Sequence, residues 1–340
     1  MNHEFYIQRC IQLANLAKGK TYPNPMVGSV IVYNDTVIGE GYHKKAGEPH
    51  AEINAIASVA DKNLIPESTI YVTLEPCSHY GKTPPCALKI KELGFKKVVI
   101  GILDSHDKVN GKGIQILEDA RIEVETGILN EKCRELNKRF FTYHEKKRPY
   151  IILKWAESSD KFIDKDFKPT QIGNEITKQW MHQLRAEEHA IMVGTTTALS
   201  DNPTLTTREV KGRNPIRIVI DLNLKIPSTH HIFNTEAETI VLNSFKEEQT
   251  ENIKYVKIET SNFISSIGKV LYENQIQSVL IEGGALLLQQ FIDAKMWDEC
   301  FIIKNNSLTL ENGTKAPEFN YEPREVSIFE SNTIEHYRVS

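Results

Sequence analysis

The 340-residue chain has few cysteines, no long apolar run and no excess of charge of either sign. No stretch approaches the roughly 20 apolar residues needed to span a bilayer. The opening MNHEFYIQRC also lacks the basic-then-apolar layout of a secretory signal. These absences exclude a membrane partner and lead to a cytoplasmic expectation. Cys10, Cys77, Cys86, Cys133 and Cys300 are odd in number and irregularly spaced, so in a reducing compartment metal binding or plain burial is expected rather than disulfides. With 41 Lys+Arg against 45 Asp+Glu the formal charge is −4. Nucleic-acid affinity rests on Lys and Arg neutralising phosphates, so the expected partner is a small molecule and not a nucleic acid. Internal repeats and low-complexity tracts are missing too. What remains is an ordinary globular composition, 25% charged and 40% apolar, at a length that suggests two domains.

The segment FYIQRCIQLANLAKG spaces Phe5, Ile7, Cys10, Ile11, Ala14 and Ala17 for one helical face and stops at Gly19. VGSVIVYNDTVIGEGYH reads as two strands joined by a turn at Asn34-Asp35. A helix over His50 to Ala60, a strand in STIYVTLEP, a helix in CALKIKELGF and a strand in KKVVIGILD follow. Helices alternating with strands predict an α/β sandwich, with parallel pairing for the later strands. The polar, proline-marked stretch HEKKRP is the expected joint, placing one domain at 1–145 and another at 149–340. Beyond it PYIILKWA, HAIMVG, IRIVIDL, ETIVLN and SVLIEGGA are further strands. Two of them end in glycine, at Gly194 and at Gly283-Gly284, ahead of a helix. Ligands in open α/β sheets bind at such strand ends.

His50-Ala51-Glu52, Glu75-Pro76-Cys77 and Pro85-Cys86 supply one imidazole, two thiols and a carboxylate. Catalytic zinc takes three protein ligands and keeps a fourth position for water. His50 and Glu52 lie about 200° apart around a helix, so both can serve one site only at a helix end. Pro49 fits the entry to that helix and Pro85 opens the next one, where the positive end of the helix dipole favours a Cys86 thiolate. Zinc acidifies water, and Glu52 is the candidate proton shuttle to a leaving amine. The pattern follows the H-x-E…P-C…C signature of base deaminases, except that eight residues, SHYGKTPP, separate the cysteines. A structural zinc site with a fourth ligand is the bland alternative, and Cys10, Cys133 and Cys300 read as core fillers.

The strings TYPNPMVG, GYHKKAGEPHAE and TLEPCSHYGKTPPC resemble those of the bifunctional riboflavin-biosynthesis deaminase/reductases, the RibD/RibG family. The likeness covers essentially the whole chain, more loosely after residue 145. It implies a cytidine-deaminase-like three-layer α/β/α domain with zinc on His50, Cys77 and Cys86 and Glu52 as catalytic proton donor. Asn24, His43, His79, Lys82 and Asp104 match positions around the pyrimidine and its phosphorylated sugar. On the residues alone, His79 and Lys82 can equally be solvated loop residues, and Asn24, between two prolines, a rigid turn. His106 departs from the family's usual asparagine.

The second half has no G-x-G-x-x-G and hence no Rossmann fingerprint. Its Gly283-Gly284 turn before ALLLQQFID lets backbone approach a phosphate, although such turns are also common structural joints. The resemblance implies a dihydrofolate-reductase-like α/β domain using NADPH. Thr197, Gly283 and Gly284 match the cofactor side, and Lys154, Arg185, Asp201, Leu205, Arg208 and Glu282 the substrate side. The two arginines suit a phosphate clamp, and Lys154 or Asp201 a proton donor. Departures fall at Ser158-Ser159-Asp160-Lys161 and Ile172-Gly173-Asn174-Glu175, the latter removing an aromatic expected beside the cofactor, and in KNNSLTLENG. The implied reactions remove the 2-amino group of a diamino-ribosylaminopyrimidinone phosphate, then reduce its ribosyl group to ribityl. The alternative is a nucleic-acid (tRNA-type) base deaminase with a C-terminal recognition module. Self-association into a homo-oligomer is also implied by the resemblance.

Overall fold

The computed structural model describes residues 2–80, 84–105 and 111–339. It divides into two compact units, Met1–Lys146 and Lys147–Ser340.

In the first unit, α1 (His3–Asn15) precedes the strands β1 (Gly28–Tyr33) and β2 (Thr36–Tyr42). Then come α2 (Ala51–Ser58), β3 (Thr69–Leu74), α3 (Cys86–Leu93), β4 (Lys97–Ile102), α4 (Lys112–Asp119), β5 (Glu123–Thr126), α5 (Asn130–Leu136) and α6 (Lys138–Lys146). Helix α1 ends four residues before the expected Gly19. From Leu16 onward the N–H groups bond three residues back, to Leu13, Ala14 and Asn15, tightening the chain into turns. Helix α2 is likewise shorter than His50 to Ala60, because His50 is its extended N-cap and Val59 its extended C-cap. Asn34 and Asp35 both take left-handed φ, 46° and 57°, and join a hairpin that pairs Tyr33 with Thr36, as two-residue loops of this type require.

Among the described residues the sheet runs β2-β1-β3-β4-β5, with β3, β4 and β5 parallel. Side chains alternate across it. Val30, Val32, Tyr71 and Val99 pack on α1, α5 and α6 through Ile7, Cys133 and Phe140. Ile31, Ile70, Val72 and Ile100 face α2, α3 and α4 through Ala55, Ile90 and Leu117. This is the three-layer α/β/α architecture expected from the sequence. Cys10, Cys133 and Cys300 are fully buried.

The second unit runs through β6 (Tyr150–Ser158), α7 (Glu175–Glu187), β7 (Ala190–Gly194), α8 (Thr195–Asp201), β8 (Ile216–Ile220), β9 (Thr239–Asn243), β10 (Glu248–Gln249) and β11 (Ile253–Lys257). It continues with α9 (Phe263–Glu273), β12 (Ser278–Ile281), α10 (Ala285–Asp293), β13 (Glu299–Asn305), β14 (Glu325–Phe329) and β15 (Asn332–Arg338). Among the described residues its sheet is ordered β10-β11-β9-β8-β7-β12-β6-β13-β15-β14. From β11 to β13 every neighbouring pair is parallel. The five short apolar runs are therefore β6, β7, β8, β9 and β12. They read as continuous hydrophobic stretches because helices cover both faces, α9 and α10 on one and α7 and α8 on the other.

Candidate active sites

In the first unit two helix starts and the end of one strand converge. His50 caps α2, Cys86 is the first residue of α3 behind Pro85, and Cys77 follows β3. His50 Nδ1 lies 3.4 Å from Cys86 Sγ and 3.6 Å from Cys77 Sγ, and the three ligand atoms fall within 4.8 Å of one another. Tetrahedral zinc with ordinary bond lengths separates its nitrogen and sulfur ligands by about 3.6 Å, so the donor set fits. The Cys86 backbone N–H donates to Cys77 Sγ at 3.2 Å. The Cys77 thiol is drawn down chiefly by its hydrogen bond with Cys86, with His50 adding to the effect. That bond and then burial push the Cys86 thiol up, so Cys77 and not the expected Cys86 is the thiolate before metal binds. Thiolate is the form that binds metal.

Glu52 is 3% exposed. Burial first, then the negative charge of Cys77, push its carboxyl up to about 7, the range in which a group both takes and gives a proton at neutral pH. His43, 2% exposed, donates from Nδ1 to the Pro49 carbonyl at 3.2 Å and meets the Asn24 amide through Nε2 at 3.0 Å. Burial lowers its pKa and the ring stays neutral, leaving Nε2 an acceptor. Its ring stands 5.4 Å from that of His50. His43 thus lies beside the metal cluster, with Asn24 bonded to it. His79 is exposed, and Asp104 is buried just after β4. Lys82 and His106 lie outside the described residues. Glu75, to which the sequence reading gave no role, is buried and accepts backbone N–H bonds from Asp104, Gly111 and Gly113.

In the second unit a cavity of about 630 Å³ opens at the carboxyl ends of β6, β7 and β12. Lys154, Thr197, Asp201, Glu282, Gly283 and Gly284 all line it. Gly283 has φ 147°, a backbone state that side chains disfavour, and a Cβ on Gly284 would stand 3.1 Å from Thr197 Oγ1. Thr197 therefore packs directly on the turn that starts α10.

The arginine clamp needs correction. Arg185 spends its fork on Glu282, Nε to Oε1 at 2.8 Å and Nη2 to Oε2 at 2.7 Å, with Nη1 on the Thr206 carbonyl at 3.3 Å. Both partners are under 10% exposed. Three of its five N–H donors are thereby spent inside the protein. Arg208 is exposed, donating its guanidinium to Thr204 and Thr206 hydroxyls and its backbone N–H to His182 Nδ1. Neither Leu205 nor Arg208 lines the cavity. Burial alone would raise the Glu282 carboxyl, yet Arg185 and then Lys154 pull it down to about 2. Burial pushes the Lys154 ammonium the other way, toward the neutral amine.

Two of the departures from the family pattern pack on each other. Asp160 accepts from the Leu310 and Glu311 N–H groups, and Ser159 Oγ donates to the Leu308 carbonyl at 2.8 Å. Lys161 holds a left-handed φ of 62°. Asn174 caps α7 by accepting the Thr177 N–H at 3.0 Å. Phe167, 67% exposed, lines the cavity, an aromatic that no sequence signal identified.

The fold and metal cluster define the class, a zinc-binding deaminase unit followed by a second α/β unit. Residues 1–102 match the cytidine and deoxycytidylate deaminase zinc-binding region, and residues 149–305 match the RibD C-terminal domain. The riboflavin biosynthesis protein RibD of Aquifex aeolicus is 39% identical over 87% of this chain and 85% of its own length. The protein of that name from Bacillus amyloliquefaciens is 38% identical over 87% and 82%. Among solved structures, a diaminohydroxyphosphoribosylaminopyrimidine deaminase/5-amino-6-(5-phosphoribosylamino)uracil reductase from Thermotoga maritima superimposes with a TM-score of 0.89 at 34% identity. It covers 99% of this chain and 98% of that one. Acinetobacter baumannii RibD gives 0.90 at 31% identity, covering 98% of each. The chain belongs to the RibD family, the bifunctional deaminase/reductases of riboflavin biosynthesis. A nucleic-acid deaminase with a recognition module is not favoured, since the second unit matches the RibD C-terminal domain. No helix among the described residues is long and apolar enough to cross a membrane.

Proposed function

We propose that the first unit hydrolytically deaminates a diaminohydroxyphosphoribosylaminopyrimidine and that the second reduces the ribosyl group of the product to ribityl with NADPH. The observation that carries this reading is the gathering of His50, Cys77 and Cys86 ligand atoms within 4.8 Å beside the buried carboxyl of Glu52, which stands outside that group. Zinc held there supplies the Lewis acidity that makes water a nucleophile at neutral pH. Glu52 takes the proton from that water and returns it to the departing amine, so a C–O bond replaces the C–N bond and ammonia leaves. His43, held by the Pro49 carbonyl, and Asn24, which bonds to His43, hold the pyrimidine edge, while Asp104 and His79 reach its phosphorylated sugar.

In the second unit Thr197, Gly283 and Gly284, which line the cavity, would hold NADPH, which would supply hydride to the anomeric carbon. Ring opening leaves the ring oxygen needing a proton. Lys154, whose ammonium burial disfavours, is the donor that fits. Arg185 orients Glu282, and Asp201, which lines the cavity at the end of α8, contacts the substrate. The enzyme acts in the cytoplasm as a homo-oligomer, a state that solution mass measurement reads. The two activities are tested in sequence. Ammonia release from the diaminopyrimidine, followed by NADPH oxidation on the product, is expected. NADPH oxidation no faster than background would refute the second assignment, and absent ammonia the first.

A further inference from the structure

We propose that Glu75 is a positioning residue of the deaminase, fixing the backbone that carries Asp104. β3 and β4 are parallel and Leu74 pairs with Ile102. The Glu75 N–H continues the ladder onto the Ile102 carbonyl at 3.0 Å, so the Glu75 side chain emerges beside the chain that leaves β4. It is 4% exposed, and its carboxylate satisfies donors from two separate places. Oε2 accepts the Asp104 N–H at 3.3 Å and the Gly111 N–H at 3.0 Å, and Oε1 accepts the Gly113 N–H at 3.0 Å. Gly111 is the N-cap of α4 and Gly113 lies in its first turn. These are N–H groups a helix leaves without intrahelical partners, at the end where its dipole favours negative charge.

The approach is close enough to exclude side chains. A Cβ on Gly113 would stand 2.2 Å from the Pro76 carbonyl oxygen and 3.1 Å from Glu75 Oε1. The start of α4 therefore rests directly on the Glu75-Pro76 backbone, with Cys77 next in sequence. One buried carboxylate ties the metal-ligand loop to the segment that presents Asp104, without touching the reacting atoms. Three N–H donors converging on two oxygens need a carboxylate. An amide is isosteric but turns one acceptor into an N–H₂ that meets donors head-on.

This inference rests on the deaminase reading, in which Asp104 holds the substrate away from the departing amine. Loss of such a contact weakens ground state and transition state alike, which raises KM and spares kcat. The test uses the full chain with E75Q and E75D, measuring zinc content and ammonia-release kinetics. We expect E75Q to keep its zinc and its kcat while KM for the diaminopyrimidine rises about tenfold, the worth of one charge-assisted hydrogen bond. E75D keeps both acceptors on a shorter stem and recovers part of that loss. A carboxyl that only fills space would rank the isosteric Gln ahead of Asp, and that order overturns the proposal. So does an unchanged KM in E75Q, or zinc and kcat falling together in both variants. Ammonia release by the parent chain in the same assay reads the deaminase assignment separately.

Discussion

The two sites are built on opposite plans. In the first unit the chemistry is gathered at the starts of two short helices and the end of one strand, and His50, Glu52, Cys77 and Cys86 come from three short motifs. In the second, a cavity collects residues from many elements, and Glu282, which lines it, is also held in a buried ion pair with Arg185. A metal concentrates function into few atoms, so its residues can be changed with little cost to the fold. A cofactor cavity spreads function over strand ends, where binding and stability share the same side chains.

That contrast can be broken or sharpened by substitution. The largest effect is expected from Glu52→Gln, which removes the proton carrier and leaves the ligands in place. Ammonia release should fall by roughly 10²- to 10⁴-fold, with zinc content, thermal stability and NADPH oxidation unchanged. Deamination at the parent rate would remove Glu52 from the mechanism. Glu282→Gln should act on fold and function at once, because it leaves the buried Arg185 without its charge partner. A destabilisation of about 3–5 kcal/mol is expected in denaturant titration, together with loss of NADPH oxidation, while ammonia release stays intact. A stable, reductase-dead variant would show that the ion pair is separable from the fold after all.

The smallest expected effect is a pH response confined to the second unit. Burial, then Arg185 and Arg208, lowers His182 to about 4, and burial, then Arg213, lowers His189 to about 3. Both accept backbone N–H bonds through Nδ1, from Arg208 and Gln277, so both are held neutral. Their folded values lie below the ordinary 6.5. The stability they contribute is therefore complete above about pH 6.5 and is lost as pH falls toward 4 and 3. Between pH 7 and pH 5 the thermal midpoint of this unit should drop by roughly 5 °C. A midpoint that is flat across this interval contradicts the assignment of neutral buried imidazoles.

The same contrast explains what could be read from the sequence. His50, Glu52, Cys77 and Cys86 were legible because zinc demands particular atoms at short spacing, and the strands because buried apolar runs announce themselves. Glu75 was in plain view in the motif, but its role depends on backbone N–H groups at Asp104, Gly111 and Gly113, which carry no residue signature. Arg185 looked like a phosphate clamp because a guanidinium is suited to one, and only the fold reveals that Glu282 already fills its fork. Phe167 and the mutual packing of 158–161 with 308–311 involve loops whose pairing no periodicity encodes. The end of α1 was misplaced because the shift to bonds three residues back begins at Leu16, well ahead of the glycine that marks the stop.

The central claim is that one chain runs two independent chemistries, of which only the first needs the His50, Cys77 and Cys86 cluster. Its most direct test is to strip the full-length protein with a chelator, restore zinc, and follow ammonia release and NADPH oxidation in the same samples. One zinc per chain is expected, with ammonia release that disappears and returns with it and NADPH oxidation of the deaminated substrate that does not change. Ammonia released at full rate by zinc-free protein, or none released by the zinc-loaded protein, would contradict it.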